Sequence, residues 1–156
     1  MKNVLYLLPL ILLITACGEP TPQPIHIGSD TCDHCRMMIS DREFASQTLN
    51  NQGRAFKFDS VECMAAFDQT NEQRDNLHSL WVPNFLLPDE WVNATEAVYL
   101  HSQTLRSPMG LFLSAYATSD DARQMQEEYG GNLLNYEEVR QLVHREWLQD
   151  GGHGMH

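Results

Sequence analysis

The sequence predicts an α+β protein made of two similar ββαβ modules, because one order of patterns occurs twice along the chain. In the first half, strand-like segments at 44–49 and 54–58 flank Asn50-Asn51-Gln52-Gly53, a composition typical of a hairpin turn. Helix-capping residues then precede apolar positions at helical spacing over 61–70. A short strand at 78–82 completes the module.

The second half repeats this order less regularly. Its predicted elements are strands at 91–100 and 111–117, a helix at 119–129 ended by Gly130-Gly131, a strand at 132–134 and a last helix at 136–148. We therefore expect one domain over residues 30–150, with modules at about 30–88 and 89–150.

Residues 1–16 are predicted to be a bacterial lipoprotein signal peptide. Lys2 precedes an apolar run, Val4 to Ile14, which falls short of the roughly 20 residues that span a bilayer. Ile14-Thr15-Ala16 before Cys17 resembles a lipobox, in which the Cys is acylated and becomes the mature N-terminus. Gly18, rather than Asp, favours the outer membrane. The alternative is an ordinary signal peptide with a chance Cys near the cleavage point.

The segments on either side of the domain are predicted to be flexible. Residues 17–29 contain Pro20, Pro22 and Pro24, typical of an extended linker that holds a domain away from the membrane. Residues 151–156 form a Gly-rich His/Met tail that either collects copper loosely or is inert. We expect the domain to be soluble and to face the periplasm.

Charge and composition exclude some function classes. The chain has 10 basic and 21 acidic residues, a formal net charge of −11, which argues against a nucleic-acid partner. No Ser-His-Asp set, phosphate-binding loop or Cys–His pair with a credible base stands out. The protein is therefore predicted not to be an enzyme.

The cysteines indicate a metal or redox site. With Cys17 acylated, Cys32, Cys35 and Cys63 remain, and an odd number in an oxidising compartment leaves at least one thiol without an intramolecular disulfide partner. The Cys32-x-x-Cys35 motif fits half of a zinc site, a redox pair or a soft-metal site. A redox pair is expected to open a helix after a strand, whereas this motif follows a Pro-rich segment.

Methionines near the motif favour Cu(I). Met37 lies two residues after Cys35, and thioether sulfur suits Cu(I) better than Zn(II). Met109 lies on the turn Ser107-Pro108-Met109-Gly110 and could supply a third sulfur from the second module. The alternatives are that Met37 and Met38 are core residues beside a Cys32–Cys35 disulfide, and that Met109 caps the core.

The roles of two nearby residues, Cys63 and His34, remain open. Cys63 lies in the apolar pattern of the first helix and is interpreted as a core residue. A treble-clef zinc site of Cys32, Cys35, Asp59 and Cys63 competes with that interpretation, although Asp59 is explained more simply as part of the helix start. His34 could supply a nitrogen ligand, but it is interpreted as an exposed loop residue.

Several segments together resemble the NosL family of accessory lipoproteins of nitrous oxide reductase. The first is Cys32-x-x-Cys35-x-Met37-x-Ile39, which is similar to that family's signature. The others are Phe58-Asp59-Ser60 with Cys63-Met64 and Phe67, Ser107-Pro108-Met109-Gly110 with Ala115-Tyr116, and Gly130-Gly131. The lipobox and the length agree as well.

This resemblance implies a Cu(I) chaperone of two ββαβ modules that delivers copper to nitrous oxide reductase or another exported copper enzyme. Cys35, Met37 and Met109 are the implied ligands, with Cys32 as a further one. A membrane copper exporter or transporter complex is the expected donor. A structural zinc module that recruits partners at the membrane, or a thiol–disulfide oxidoreductase acting on a copper-site client, are the alternatives.

Overall fold

The computed structural model describes residues 19–72 and 76–149. It contains two antiparallel sheets and three α-helices in this part of the chain. The strands are β1 (Ser46–Asn50), β2 (Ala55–Phe58), β3 (Leu77–Asn84), β4 (Leu87–Asn93), β5 (Val98–His101), β6 (Leu113–Tyr116) and β7 (Asn132–Leu134). The helices are α1 (Val61–Thr70), α2 (Ser119–Tyr129) and α3 (Tyr136–Val143), and a π-helical turn (His144–Leu148) extends α3.

The predicted two-module repeat is confirmed by the strand order. The first sheet is ordered β2-β1-β3-β4 and the second is ordered β6-β5-β7. In each sheet the first strand of the module lies between the second and third, and a helix connects the latter two. The hairpin at Asn50 is also confirmed, since its side-chain oxygen accepts hydrogen bonds from the main-chain N–H groups of Gln52 and Arg54.

The strand predicted over 91–100 is wrong as one element. Residues 91–93 end β4, a turn follows, and β5 begins at Val98. Asn93 makes the turn, because its side chain accepts from Thr95 and its carbonyl accepts from the main-chain N–H of Ala97. β4 was not predicted because it is an exposed edge strand without a buried apolar face, and it contains Pro88.

Capping residues explain where the helices begin. Ser60 caps α1 by accepting from the N–H of Cys63, and Thr118 caps α2 by accepting from Asp121. Asn135 and Glu138 form a capping box at α3. The predicted last helix is confirmed in extent, but it changes from α-helix to π-helix at His144.

The two modules share one hydrophobic core. Phe58, Met64 and Val82 of the first module and Tyr99 and Val139 of the second are fully buried in the same cluster. A smaller cluster lies under α2. Since both modules contribute to the main core, loops from either one are held against it.

The segment before the Cys-rich loop contacts the first sheet. The buried side chain of Gln47 accepts from the N–H of Gln23 and donates to its carbonyl, and Ile25 and Ile27 pack against the core. The sequence suggested a free linker over 17–29, but the structure places residues from Gln23 onward against the folded domain.

The predicted signal peptide, Cys17, Gly18 and the tail at 151–156 lie outside the described residues. Within 19–72 and 76–149, no helix is both long and apolar enough to cross a bilayer.

Candidate metal centre

A tight loop presents the CxxC motif. The N–H of Cys32 donates to the carbonyl of Met37 and the N–H of Arg36 donates to the carbonyl of Cys32, while Thr31 pairs with Met38 across the loop. Arg36 has a φ of 66°, which lets the chain reverse. The motif therefore lies in a turn and does not open a helix.

Polar contacts fasten this loop to β2. Asp33 and Lys57 exchange hydrogen bonds, since the N–H of Asp33 donates to the Lys57 carbonyl and the N–H of Lys57 donates to the Asp33 carboxylate. The Lys57 ammonium also contacts the Asp30 carboxylate at 2.6 Å and lowers the pKa of that group. The position of Cys32 and Cys35 is thus fixed relative to the first sheet.

Three cysteine sulfurs meet where this loop contacts the start of α1. The Sγ atoms of Cys32, Cys35 and Cys63 all lie within 4.8 Å of one another, and none forms a disulfide. This spacing suits a single ion, because two thiolates at about 2.3 Å from a metal lie up to roughly 4.6 Å apart. We call these three residues the thiol cluster. Cys32 and Cys63 are fully buried and Cys35 is half-buried.

The interpretation of Cys63 as a core residue was incomplete. It is fully buried, as expected, but its sulfur joins the CxxC pair. The Ser60 hydroxyl accepts from the N–H of Cys63, and the Asp59 carboxylate accepts from the N–H of Ser40, which fastens the start of α1 to the end of the Cys-rich segment. The available signal was the Phe58-Asp59-Ser60 segment with Cys63, one of the segments on which the family resemblance rests.

The three thiols differ in acidity. The pKa of Cys32 is lowered to about 5, first by a hydrogen bond from the Cys63 thiol and then by main-chain groups of Asp59, Cys35 and His34, against the opposing effect of burial. Donating to Cys32 raises the pKa of Cys63, and burial raises that of Cys35. The hydrogen bond from Cys63 therefore favours the thiolate form of Cys32 in the metal-free cluster, whereas Cys35 and Cys63 favour the thiol form.

The methionines predicted as ligands lie in two different environments. Met37 is 55 % exposed and its neighbour Met38 is 59 % exposed, so neither is a core residue. Met109 is half-buried and packs against the same core as Cys35. The structure thus brings Cys32 and Cys35 together, leaves Met37 beside them in solvent and holds Met109 on the core.

A buried carboxyl beside Cys63 contacts the Met109 loop. Glu62 is fully buried and accepts a short hydrogen bond from the hydroxyl of Ser107. The same hydroxyl oxygen accepts from the N–H of Phe112 at 2.9 Å. Burial raises the pKa of Glu62. No sequence signal pointed to this residue, because an acidic group in the first turn of a helix is usually explained by the helix dipole.

His34 is half-buried rather than exposed. Its ring is parallel to that of Trp147 in the π-helical turn, with ring centroids 6.5 Å apart. Burial lowers the pKa of His34, which keeps its ring neutral at pH 7. The end of the described chain therefore covers one side of the CxxC loop.

Soft sulfur ligands dominate the residues that could hold a metal. Two buried sulfurs and one half-buried sulfur lie together, and the exposed thioether of Met37 follows the half-buried Cys35 by two residues in the chain. Such a set favours a soft monovalent ion such as Cu(I). Access from solvent would let an incoming ligand exchange with those already bound.

Comparisons with known proteins identify the family of this chain. The family model described as NosL matches residues 24–143. The copper-binding lipoprotein NosL of Stutzerimonas stutzeri is 28 % identical over 161 aligned residues, which cover 92 % of this chain and 82 % of that protein. The crystal structure of the copper chaperone NosL from Shewanella denitrificans superposes with a TM-score of 0.67 at 20 % identity, covering 78 % of this chain and 96 % of that one. Because the family model spans most of the chain and the fold agrees, the chain belongs to the NosL family.

Proposed function

We propose that this protein is a lipid-anchored Cu(I) chaperone, not an enzyme, that delivers copper to an exported copper enzyme. The observation that carries the proposal is the thiol cluster, whose three sulfurs lie within 4.8 Å of one another. The names of the two relatives, a copper-binding lipoprotein and a copper chaperone, support it.

The ligand set proposed for copper contains Cys35, Met37, Met109 and Cys32, and the geometry adds Cys63. The lowered pKa of Cys32 favours its thiolate form, so this residue would offer a sulfur anion before the metal arrives. Cys35 and Cys63 would lose their protons as the metal binds, which couples copper binding to pH. Among the described residues, the only group of three or more His, Cys, Asp or Glu ligand atoms close enough for one ion is this cluster.

The gradient of burial across the site supports transfer by ligand exchange. Cys32 and Cys63 are fully buried, Cys35 is half-buried, and Met37 is largely exposed. An incoming thiol or imidazole would reach the copper from the Met37 side. The buried sulfurs would release the ion last, so copper stays bound to sulfur throughout the exchange.

The proposed location follows from the N-terminal segment. Acylation of Cys17 would hold the protein at a membrane, with Gly18 favouring the outer one, and the domain would face the periplasm. The proposed recipient is nitrous oxide reductase, or another exported copper enzyme, and the proposed donor is a membrane copper exporter or transporter complex.

Two alternatives predict different chemistry. A zinc module would use the three thiolates, and an oxidoreductase would cycle a Cys32–Cys35 disulfide. The turn conformation of the CxxC loop does not favour the oxidoreductase, because a thioredoxin-like redox pair opens a helix after a strand.

Anaerobic titration of the mature chain with Cu(I) against a chromophoric chelator tests the proposal. We expect one tightly bound Cu(I), lost in Cys35→Ser and transferred more slowly to metal-free nitrous oxide reductase in Met37→Leu. Met38→Leu is the matched control, because Met38 is adjacent and equally exposed. Preferential binding of zinc, with Met37→Leu and Met109→Leu both harmless, would overturn the proposal, and so would a disulfide that cycles with the client.

A further inference from the structure

The loop that carries Met109 has a strained backbone. Gly110 has a φ of 85°, which glycine adopts freely, whereas the φ of 55° at Phe112 is rare for a bulky residue. The conformation of Phe112 is unfavourable and persists only where its surroundings hold it. The loop therefore needs a contact that fixes its shape.

The hydroxyl of Ser107 provides that contact. It accepts from the N–H of Phe112 at 2.9 Å, which closes the loop across Met109, and it donates to the Glu62 carboxylate. The carbonyl of Ser107 also accepts from the N–H of Gly110 at 3.3 Å. One side chain thus fastens both ends of the loop and joins it to α1.

The partner of that hydroxyl belongs to the other module and is adjacent to the thiol cluster. Glu62 precedes Cys63 in the first turn of α1, and both residues are fully buried. A buried carboxyl is destabilising compared with an apolar side chain of similar size. Stability alone does not account for an acidic residue here, whereas the position of the Met109 loop does.

We infer that Glu62, acting through Ser107, is a positioning residue that holds the Met109 thioether toward the thiol cluster, so that one copper site is shared between the two modules. This inference rests on the proposed function. It assigns a role to two residues that bind no metal themselves. It also explains how a ligand on a loop of the second module keeps a fixed place relative to Cys63.

The test compares Ser107→Ala and Glu62→Leu, which remove the hydrogen bond, with Glu62→Gln, which retains an acceptor for the Ser107 hydroxyl. Ser102→Ala is the matched control, since Ser102 is equally buried and donates to a carbonyl away from the site. We expect the first two variants to lose one sulfur neighbour of copper by X-ray absorption, as Met109→Leu does. Their Cu(I) affinity should fall by about tenfold. Glu62→Gln and Ser102→Ala should keep both properties.

A metal-free measurement makes the inference testable without copper. In the apoprotein, peroxide should convert Met109 to its sulfoxide faster in Ser107→Ala than in Ser102→Ala, as measured by peptide mapping. Thermal unfolding would establish whether each variant is folded. If Glu62→Leu does not fold, the result for Ser107→Ala decides the test.

Three results from the positioning variants, and a fourth from Met109→Leu, would overturn the inference. Folded Ser107→Ala could keep its full sulfur count and its affinity, Glu62→Gln could fail as badly as Glu62→Leu, or Met109 could oxidise at equal rates in both serine variants. If Met109→Leu leaves the sulfur count unchanged while Cys35→Ser abolishes binding, the inference fails and the chaperone proposal stands. Absence of Cu(I) binding by the wild-type chain refutes the chaperone proposal itself.

Discussion

The acidity of Cys32 predicts how the stability of the metal-free protein depends on pH. The pKa of Cys32 is about 5 in the folded protein, against about 8.5 for an unfolded cysteine. Between these values the unfolded chain binds one more proton than the folded one, so stability rises with pH. The contribution is complete above about pH 8.5 and is lost as the pH falls through about 5.

One proton sets the upper limit of the effect. A difference of one bound proton changes the free energy of unfolding by at most about 1.4 kcal/mol per pH unit. His34 and Asp59 also affect the slope of the unfolding free energy against pH. Burial lowers the pKa of His34, which adds to that slope, and burial raises the pKa of Asp59, which subtracts from it. Both groups remain in Cys32→Ser, and the Cys32 thiolate raises the pKa of each, so the difference between the two proteins reports the thiolate together with its effect on these neighbours.

Urea unfolding of the reduced, metal-free protein measures this difference. Wild type and Cys32→Ser would be compared by tryptophan fluorescence under anaerobic conditions between about pH 5.5 and 8, where the unfolded thiol is largely protonated. We expect the gap between their unfolding free energies to change by on the order of 1 kcal/mol per pH unit. Parallel pH profiles would show that Cys32 is not a thiolate stabilised by Cys63.

Three further predictions concern neighbouring features. Cys63→Ala removes the main donor to Cys32, so ultraviolet titration of the thiolate should show a higher pKa for Cys32; an unchanged titration would contradict the hydrogen bond. Gly131→Ala should destabilise the fold by more than about 2 kcal/mol in urea, because its Cβ would lie 2.2 Å from a carbonyl oxygen at a φ of 107°, whereas Gly53→Ala, in open space, should cost about 1 kcal/mol. Equal losses for the two glycines would refute the steric argument. Since Trp147 lies beside the CxxC loop, Cu(I) should quench a component of fluorescence that Trp147→Phe lacks, and identical quenching in both proteins would be evidence against that placement.

The fold was largely predictable where local signals and burial agree. The Asn50 turn, the Ser60 cap and the glycines after α2 each specify a local backbone shape, and apolar periodicity supplied the buried faces between them. β4 escaped prediction because an exposed edge strand needs no apolar alternation. The strand is held by its pairing with β3, and no pattern within the sequence of β4 predicts that pairing.

The candidate site was predictable only in part, because its members come from three separate segments. The CxxC spacing marks Cys32 and Cys35, since both lie in one turn. Cys63 joins them only when α1 packs against that turn, and Glu62 matters only because a loop of the second module reaches it. Contacts between distant segments leave no periodic pattern in the sequence. The burial of Cys63 and Glu62 and the residues that they contact are therefore visible only in the folded protein.

The docking of Gln23 on Gln47 limits how far an anchored domain could travel. If Cys17 carries a lipid, only six peptide steps separate the anchor from the docked chain, about 20 Å when extended, rather than about 40 Å for a linker that runs to Ser29. The Cys-rich loop begins shortly after that docking point. A tether of this length raises the effective concentration of the thiols for partners in the same membrane. It also excludes partners that lie beyond the reach of the tether. Copper would then be transferred within a few nanometres of the bilayer, and a longer tether should allow transfer to more distant partners.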